Sequence, residues 1–107
     1  MFVFSAERPI IDVAPGITRQ VLGYDEHLMM VRIAFRQGAV GALHEHPHRQ
    51  VTYVEAGRFE ATVGDSTTLL AAGDCVLVRP GTRHGVVALE DGALIDVFTP
   101  AREDFLE

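Results

Sequence analysis

Through most of the chain, apolar and polar residues alternate at every second position, the period of a half-buried β-strand. Leu28 to Arg36 sets Met29, Val31, Ile33 and Phe35 on one face and Arg32 and Arg36 on the other. Arg58 to Val63 repeats this with Phe59, Ala61 and Val63 against Arg58, Glu60 and Thr62. Further strands are predicted over Pro9 to Val13, Ile17 to Leu22, Val51 to Val54, Thr67 to Ala71, Cys75 to Val78, His84 to Leu89 and Ala93 to Phe98. Turn signals separate them: Pro15-Gly16, Gly23 to Glu26, Ala56-Gly57, Gly64-Asp65, Ala72-Gly73-Asp74, Pro80-Gly81 and Asp91-Gly92. Pro100 closes the last strand, and Ala101 to Leu106 is the one segment that reads as a helical turn. Short strands at this spacing predict an all-β antiparallel sandwich or barrel.

Composition narrows the reading. At 107 residues, 48% hydrophobic and 22% charged, residues 1–107 form a single domain. A net charge of −6 with scattered basic residues argues against a nucleic-acid partner. All nine basic side chains are Arg, so Schiff-base chemistry is excluded for want of a side-chain amine. Cys75 is the single cysteine and reads as a small buried strand residue with no disulfide partner. Neither a signal peptide nor an apolar run near 20 residues is present, so a cytoplasmic protein with no membrane partner is expected.

Gly38 to Gly57, GAVGALHEHPHRQVTYVEAG, carries the chemistry. His44, His46 and Gln50 share parity and would face one side of a sheet if the strand ran unbroken. Imidazole is the commonest side-chain ligand for a first-row metal, and a Gln carbonyl adds an oxygen donor. A further histidine, His84, ends the run Arg79-Pro80-Gly81-Thr82-Arg83-His84. Asp96 and Phe98 share a face of the last strand, although Ala93, Ile95 and Val97 would suit an interior equally well. By spacing alone, Asp96 reads as a surface residue, Phe98 as core and Arg102 as a solvated charge. His48 is expected at a rim, His27 at the surface. Arg49, Tyr53, Arg79 and Arg83 have core or surface roles available, with contact to a ligand as the alternative.

The first stretch resembles the first cupin motif, G-x5-H-x-H-x3-E-x6-G, with Gln50 in the Glu position. Gly73 to His84 resembles the second, G-x5-P-x-G-x2-H, with Arg79 in place of the first proline. The resemblance implies a small jelly roll or β-barrel with one divalent transition metal (Ni, Zn, Mn, Fe or Co) on His44, His46, Gln50 and His84. A neutral Gln leaves the ion its full +2 charge and favours anionic ligands. The run Ile95-Asp96-Val97-Phe98-Thr99-Pro100, with Arg102-Glu103-Asp104-Phe105, resembles the pectin-degradation cupins of the KdgF type. Those proteins act on 4,5-unsaturated uronate monosaccharides, and the resemblance implies catalytic and substrate roles for Asp96, Phe98 and Arg102. It also implies a small anionic sugar as substrate and, from the habit of small cupins, a homodimer, with the N-terminal segment free to pair with a second subunit. A cupin dioxygenase and a non-catalytic sugar- or metal-binding cupin are the alternative functions.

Overall fold

Glycine and proline punctuation cuts the chain into short extended segments. In the computed structural model, which describes residues 1–106, ten strands form among them. They are β1 (Ile11–Ala14), β2 (Ile17–Tyr24), β3 (Met29–Phe35), β4 (Val40–His44), β5 (Arg49–Ala56), β6 (Arg58–Val63), β7 (Ser66–Ala71), β8 (Cys75–Val78), β9 (His84–Ala88) and β10 (Gly92–Thr99). Six of them make an antiparallel sheet in the order β1-β2-β3-β10-β5-β8, and four make a second in the order β4-β9-β6-β7. The two sheets are not closed into one continuous barrel.

β1 lies antiparallel on β2, with Ile11 opposite Arg19, and forms one edge of the six-stranded sheet. One expectation is corrected at the other edge. Cys75 is exposed, because β8 is an edge strand that turns Val78 inward and Cys75 and Leu77 outward. The C-terminal helical turn is a short 3-10 turn over Glu103–Leu106. No helix among the described residues is long and apolar enough to cross a membrane.

The inner faces of the sheets meet in two apolar clusters. One joins Phe35 of the six-stranded sheet edge-to-face with Phe59 of the four-stranded sheet, at 5.1 Å between centroids, with Val54, Leu94 and Ala88 around them. The other gathers Met29, Val31, Phe98 and Ala101. Strand β5 shows the pattern plainly: Gln50, Thr52 and Val54 are buried while Arg49, Val51, Tyr53 and Glu55 are exposed. Two of those three inward positions are polar, and that polar pair marks the functional end of the sandwich.

Two glycines allow close backbone approaches, Gly57 at the far end of β5 and Gly85 beside His84. Gly57 has φ +86° in the β5–β6 turn, and a Cβ there would meet the Asp91 carbonyl at 2.7 Å. Gly85 follows His84, and a Cβ on it would meet the Gly41 carbonyl at 2.7 Å, so β4 and β9 can pair only while residue 85 has no side chain.

Candidate metal centre and its cavity

On the four-stranded sheet His44 of β4 lies opposite His84 of β9. On the facing sheet β5 and β10 set Gln50 opposite Phe98 and Thr52 opposite Asp96. All six line a cavity of about 330 Å³ between the sheets. His46 is 8% exposed and closes the cluster, with its ring centroid 4.8 Å from that of His84 and 5.6 Å from that of His44. His44 and His46 do not share a strand. β4 ends at His44 and β5 begins at Arg49; Pro47, which has no N–H to donate to a ladder, sits in the bend over residues 47–48, and His46 enters from the irregular segment just before it.

Each ring is oriented by the backbone. His44 Nδ1 lies 2.9 Å from the Ala42 carbonyl, His46 Nδ1 3.1 Å from that of His48, and His84 Nδ1 2.8 Å from that of Thr82. A carbonyl only accepts, so each neutral ring carries its proton on Nδ1 and turns the Nε2 lone pair inward. Ligand atoms of the three histidines lie within 4.8 Å of one another, and His84 Nε2 is buried without a partner.

Gln50 sharpens the point. Its Nε2 donates to Thr52 Oγ1 at 2.7 Å, and Thr52 Oγ1 donates to Asp96 Oδ1 at 2.6 Å. This chain fixes the amide so that Oε1 faces His46 Nε2 at 2.8 Å. With the His46 proton on Nδ1, two lone pairs confront one another across that distance, an arrangement a cation between or beside them resolves. Burial holds His46 and His84 below the usual imidazole pKa, against the hydrogen bonds of Gln50 and the Thr82 backbone that would raise it, and so favours the neutral form a metal requires. Three imidazole nitrogens and an amide oxygen fit a divalent first-row ion.

Asp96 is 5% exposed. Burial pushes its carboxyl up to about 6, against the Thr52 hydrogen bond and the nearby His44 charge that favour the ionised form. Arg102, just beyond β10, reaches back over the cavity. Its side chain is 11% exposed, and its guanidinium lies 5.2 Å from the Phe98 ring centroid and 4.2 Å from that of Phe105. Nε and Nη2 donate to Asp104 at 3.0 and 2.8 Å, which holds the Asp104 carboxyl below its usual range.

The cupin domain model matches residues 31–98. The pectin degradation protein KdgF of Dickeya dadantii is 41% identical over 102 residues, covering 94% of this chain and 93% of its own. The chain belongs to the cupin family. Among solved structures, an RmlC-like cupin from Shewanella frigidimarina superposes with a TM-score of 0.94 at 45% identity, over 97% of this chain and 94% of that one. KdgF from a Halomonas species superposes with a TM-score of 0.93 at 39% identity, over 98% and 97%.

In this cupin the fold lines one cavity with His44, Gln50, His84, Asp96, Phe98 and Arg102, and sets His46 against His84 and Gln50. The bland spacing-based readings of Asp96 as a surface residue and Arg102 as a solvated charge are corrected: both point inward, because the strand pairing sets Asp96 against inward-facing Thr52. His27 is exposed and pairs with Glu26. Arg49, Arg79 and Arg83 are exposed, and Tyr53 is 45% exposed. His48 stands at the rim, its ring 6.4 Å from that of Phe98, and contributes its carbonyl to His46. Sequence reasoning missed Thr52, which relays between Gln50 and Asp96, and it missed Arg19 and Phe105, which also line the cavity. The parity of Thr52 with Gln50 was the available signal for the first. The other two depend on strand order, which spacing does not encode.

Proposed function

We propose that this cupin is a metal-dependent enzyme that converts 4,5-unsaturated uronate monosaccharides, released from pectin or alginate by lyases, into linear 4-deoxy-5-keto-uronates. The observation that carries the proposal is the buried Gln50–Thr52–Asp96 chain, which sets one carboxyl beside three inward-facing imidazole nitrogens in a cavity sized for one small ligand. A divalent transition ion held by His44, His46, Gln50 and His84 would supply Lewis-acid polarisation of a substrate oxygen.

The chain's own groups supply the rest. Phe98 forms an apolar wall for the sugar ring, and Arg102, above that wall, meets the substrate carboxylate. Asp96 exchanges a proton with the C4–C5 enol ether. Protonation at C4 and addition of water at C5 give a hemiketal; breaking its C5–ring-oxygen bond, with the C5 hydroxyl proton lost and a proton passed to the ring oxygen, yields the open 5-keto sugar with C1 as an aldehyde hydrate, which releases one water. Thr52 holds Asp96 Oδ1 by donating to it and leaves Oδ2 free for this exchange. The enol-ether absorbance band tests the reading: metal-loaded protein should remove it well above the spontaneous rate, and an unchanged rate with verified metal content would reject it.

Assembly belongs to the same reading. The enzyme acts in the cytoplasm as a homodimer, supported by the outer face of the six-stranded sheet, where Met30, Val51, Tyr53 and Leu77 stand exposed around half-buried Val97. Sedimentation at micromolar concentration should give twice the mass of one chain, and a lone monomer would contradict this.

A further inference from the structure

Arg19 lies on β2, and its side chain lines the same cavity as Arg102. The Arg19 guanidinium sits 3.9 Å from the Phe105 ring centroid, and that of Arg102 sits 4.2 Å from the same centroid. Two cations are therefore gathered over one ring, where they repel each other. Among the described residues Arg19 makes no ion pair, and its Nε is buried without any hydrogen-bond partner. Asp104 attracts it through space, yet both Asp104 oxygens are already engaged by the Arg102 fork.

The two arginines thus differ in what they can offer. Arg102 has committed Nε and Nη2, one edge of its fork, to Asp104. Arg19 has that edge uncommitted. Burial lowers the Arg19 pKa, with Asp104 opposing and Arg102 reinforcing, and the same loss of hydration strengthens its attraction for an incoming anion. Stacking on Phe105 restricts the guanidinium to a plane, so less freedom is lost when a carboxylate docks.

We propose that Arg19 is a second guanidinium for the substrate carboxylate, receiving it jointly with Arg102 and selecting carboxylated over neutral sugars. This rests on the uronate reading above. A carboxylate offers about four lone-pair sites, enough to accept from both forks. The cluster of Arg19, Phe105 and Arg102 then works as an anion clamp whose parts come from β2 and from the C-terminal turn.

The test uses zinc-loaded protein and two inert probes, D-galacturonate, which lacks the C4–C5 double bond, and neutral D-galactose. Calorimetric titration should show wild type preferring galacturonate. Arg19→Gln should weaken galacturonate about 10- to 100-fold and leave galactose affinity, zinc content and melting temperature unchanged. Arg19→Lys should recover only part of the loss, since an ammonium lacks the planar fork. Undiminished galacturonate affinity in Arg19→Gln, or a wild type indifferent to the carboxylate, overturns the proposal. Should Arg19→Gln not fold, Arg19→Lys decides, and full affinity there overturns it equally. If wild type leaves the unsaturated uronate intact while Arg19→Gln still loses galacturonate, the proposed reaction fails and the Arg19 assignment stands.

Discussion

Each of the three cavity histidines gives one ring nitrogen to a backbone carbonyl, and this local commitment aims the other at a shared point. The Nε2 of His84 has nothing else to satisfy it. His84→Ala should therefore lose metal by more than the roughly 10- to 100-fold typical of losing a residue that only orients a ligand, as read by metal content after dialysis. Gln50 has a double duty, presenting an oxygen to the cluster and a donor to Thr52. Gln50→Glu should bind the ion more tightly because it adds negative charge, yet weaken galacturonate by lowering the site's net positive charge and bringing a second carboxylate near Asp96. Stronger galacturonate binding in that variant, by titration, would contradict the electrostatic account.

At the scale of elements, the site depends on two antiparallel pairings, β4 on β9 and β5 on β10. Gly85 is a tight seam in the first of them, where a Cβ would meet the Gly41 carbonyl at 2.7 Å. Gly85→Ala should destabilise the fold by roughly 1–3 kcal/mol through forced separation at the Gly41 carbonyl, and weaken metal binding by parting His44 from His84. Thermal melts with and without zinc read both effects. This is also where the legibility of the sequence divides. The alternation of Phe59, Ala61 and their neighbours located nine of the ten strands within a residue or two, because burying one face of a pleated strand requires a period of two; β4, flanked and interrupted by Gly38 and Gly41, was missed. The candidate cluster of His44, His46, Gln50 and His84 was suggested by spacing and carried by a family resemblance, and the fold does bring the three histidines together. Sheet membership was not. That the chain leaves the strand around His46 follows from Pro47, a local signal, but the inward aim of Asp96 follows from its register with Thr52, 44 positions away. Cys75 misled for the same reason: whether a residue of β8 is buried depends on which face of the sheet it takes, and Cys75 faces outward while Val78 on the same strand is buried.

For the whole molecule, an acidic chain with net charge −6 carries its arginines Arg19 and Arg102 at one cavity, so the local field there opposes the global one. The buried carboxyl beneath them should leave a thermodynamic signature. Asp96 has a folded pKa near 6, above its ordinary 3.8. Folding therefore favours the protonated form, a contribution present below about pH 4 and lost as pH rises through about 6. In metal-free protein, Asp96→Asn should match wild type near pH 4 and exceed it by about 3 kcal/mol above pH 7, since each pKa unit is worth about 1.36 kcal/mol. Denaturant unfolding across that range reads the difference, which cancels the opposing titration of the histidines common to both proteins. A constant offset with no pH dependence would remove Asp96 as the group that titrates.

The most direct test of the central claim compares wild type with Asp96→Asn on the unsaturated uronate, both zinc-loaded, with metal content and galacturonate affinity measured in each. The account predicts that the variant keeps its metal, binds galacturonate at least as well as wild type, and loses about 100- to 10,000-fold of the acceleration over spontaneous decay of the enol-ether band. An Asp96→Asn protein that removes the band as fast as wild type would show that the buried carboxyl moves no proton in this reaction.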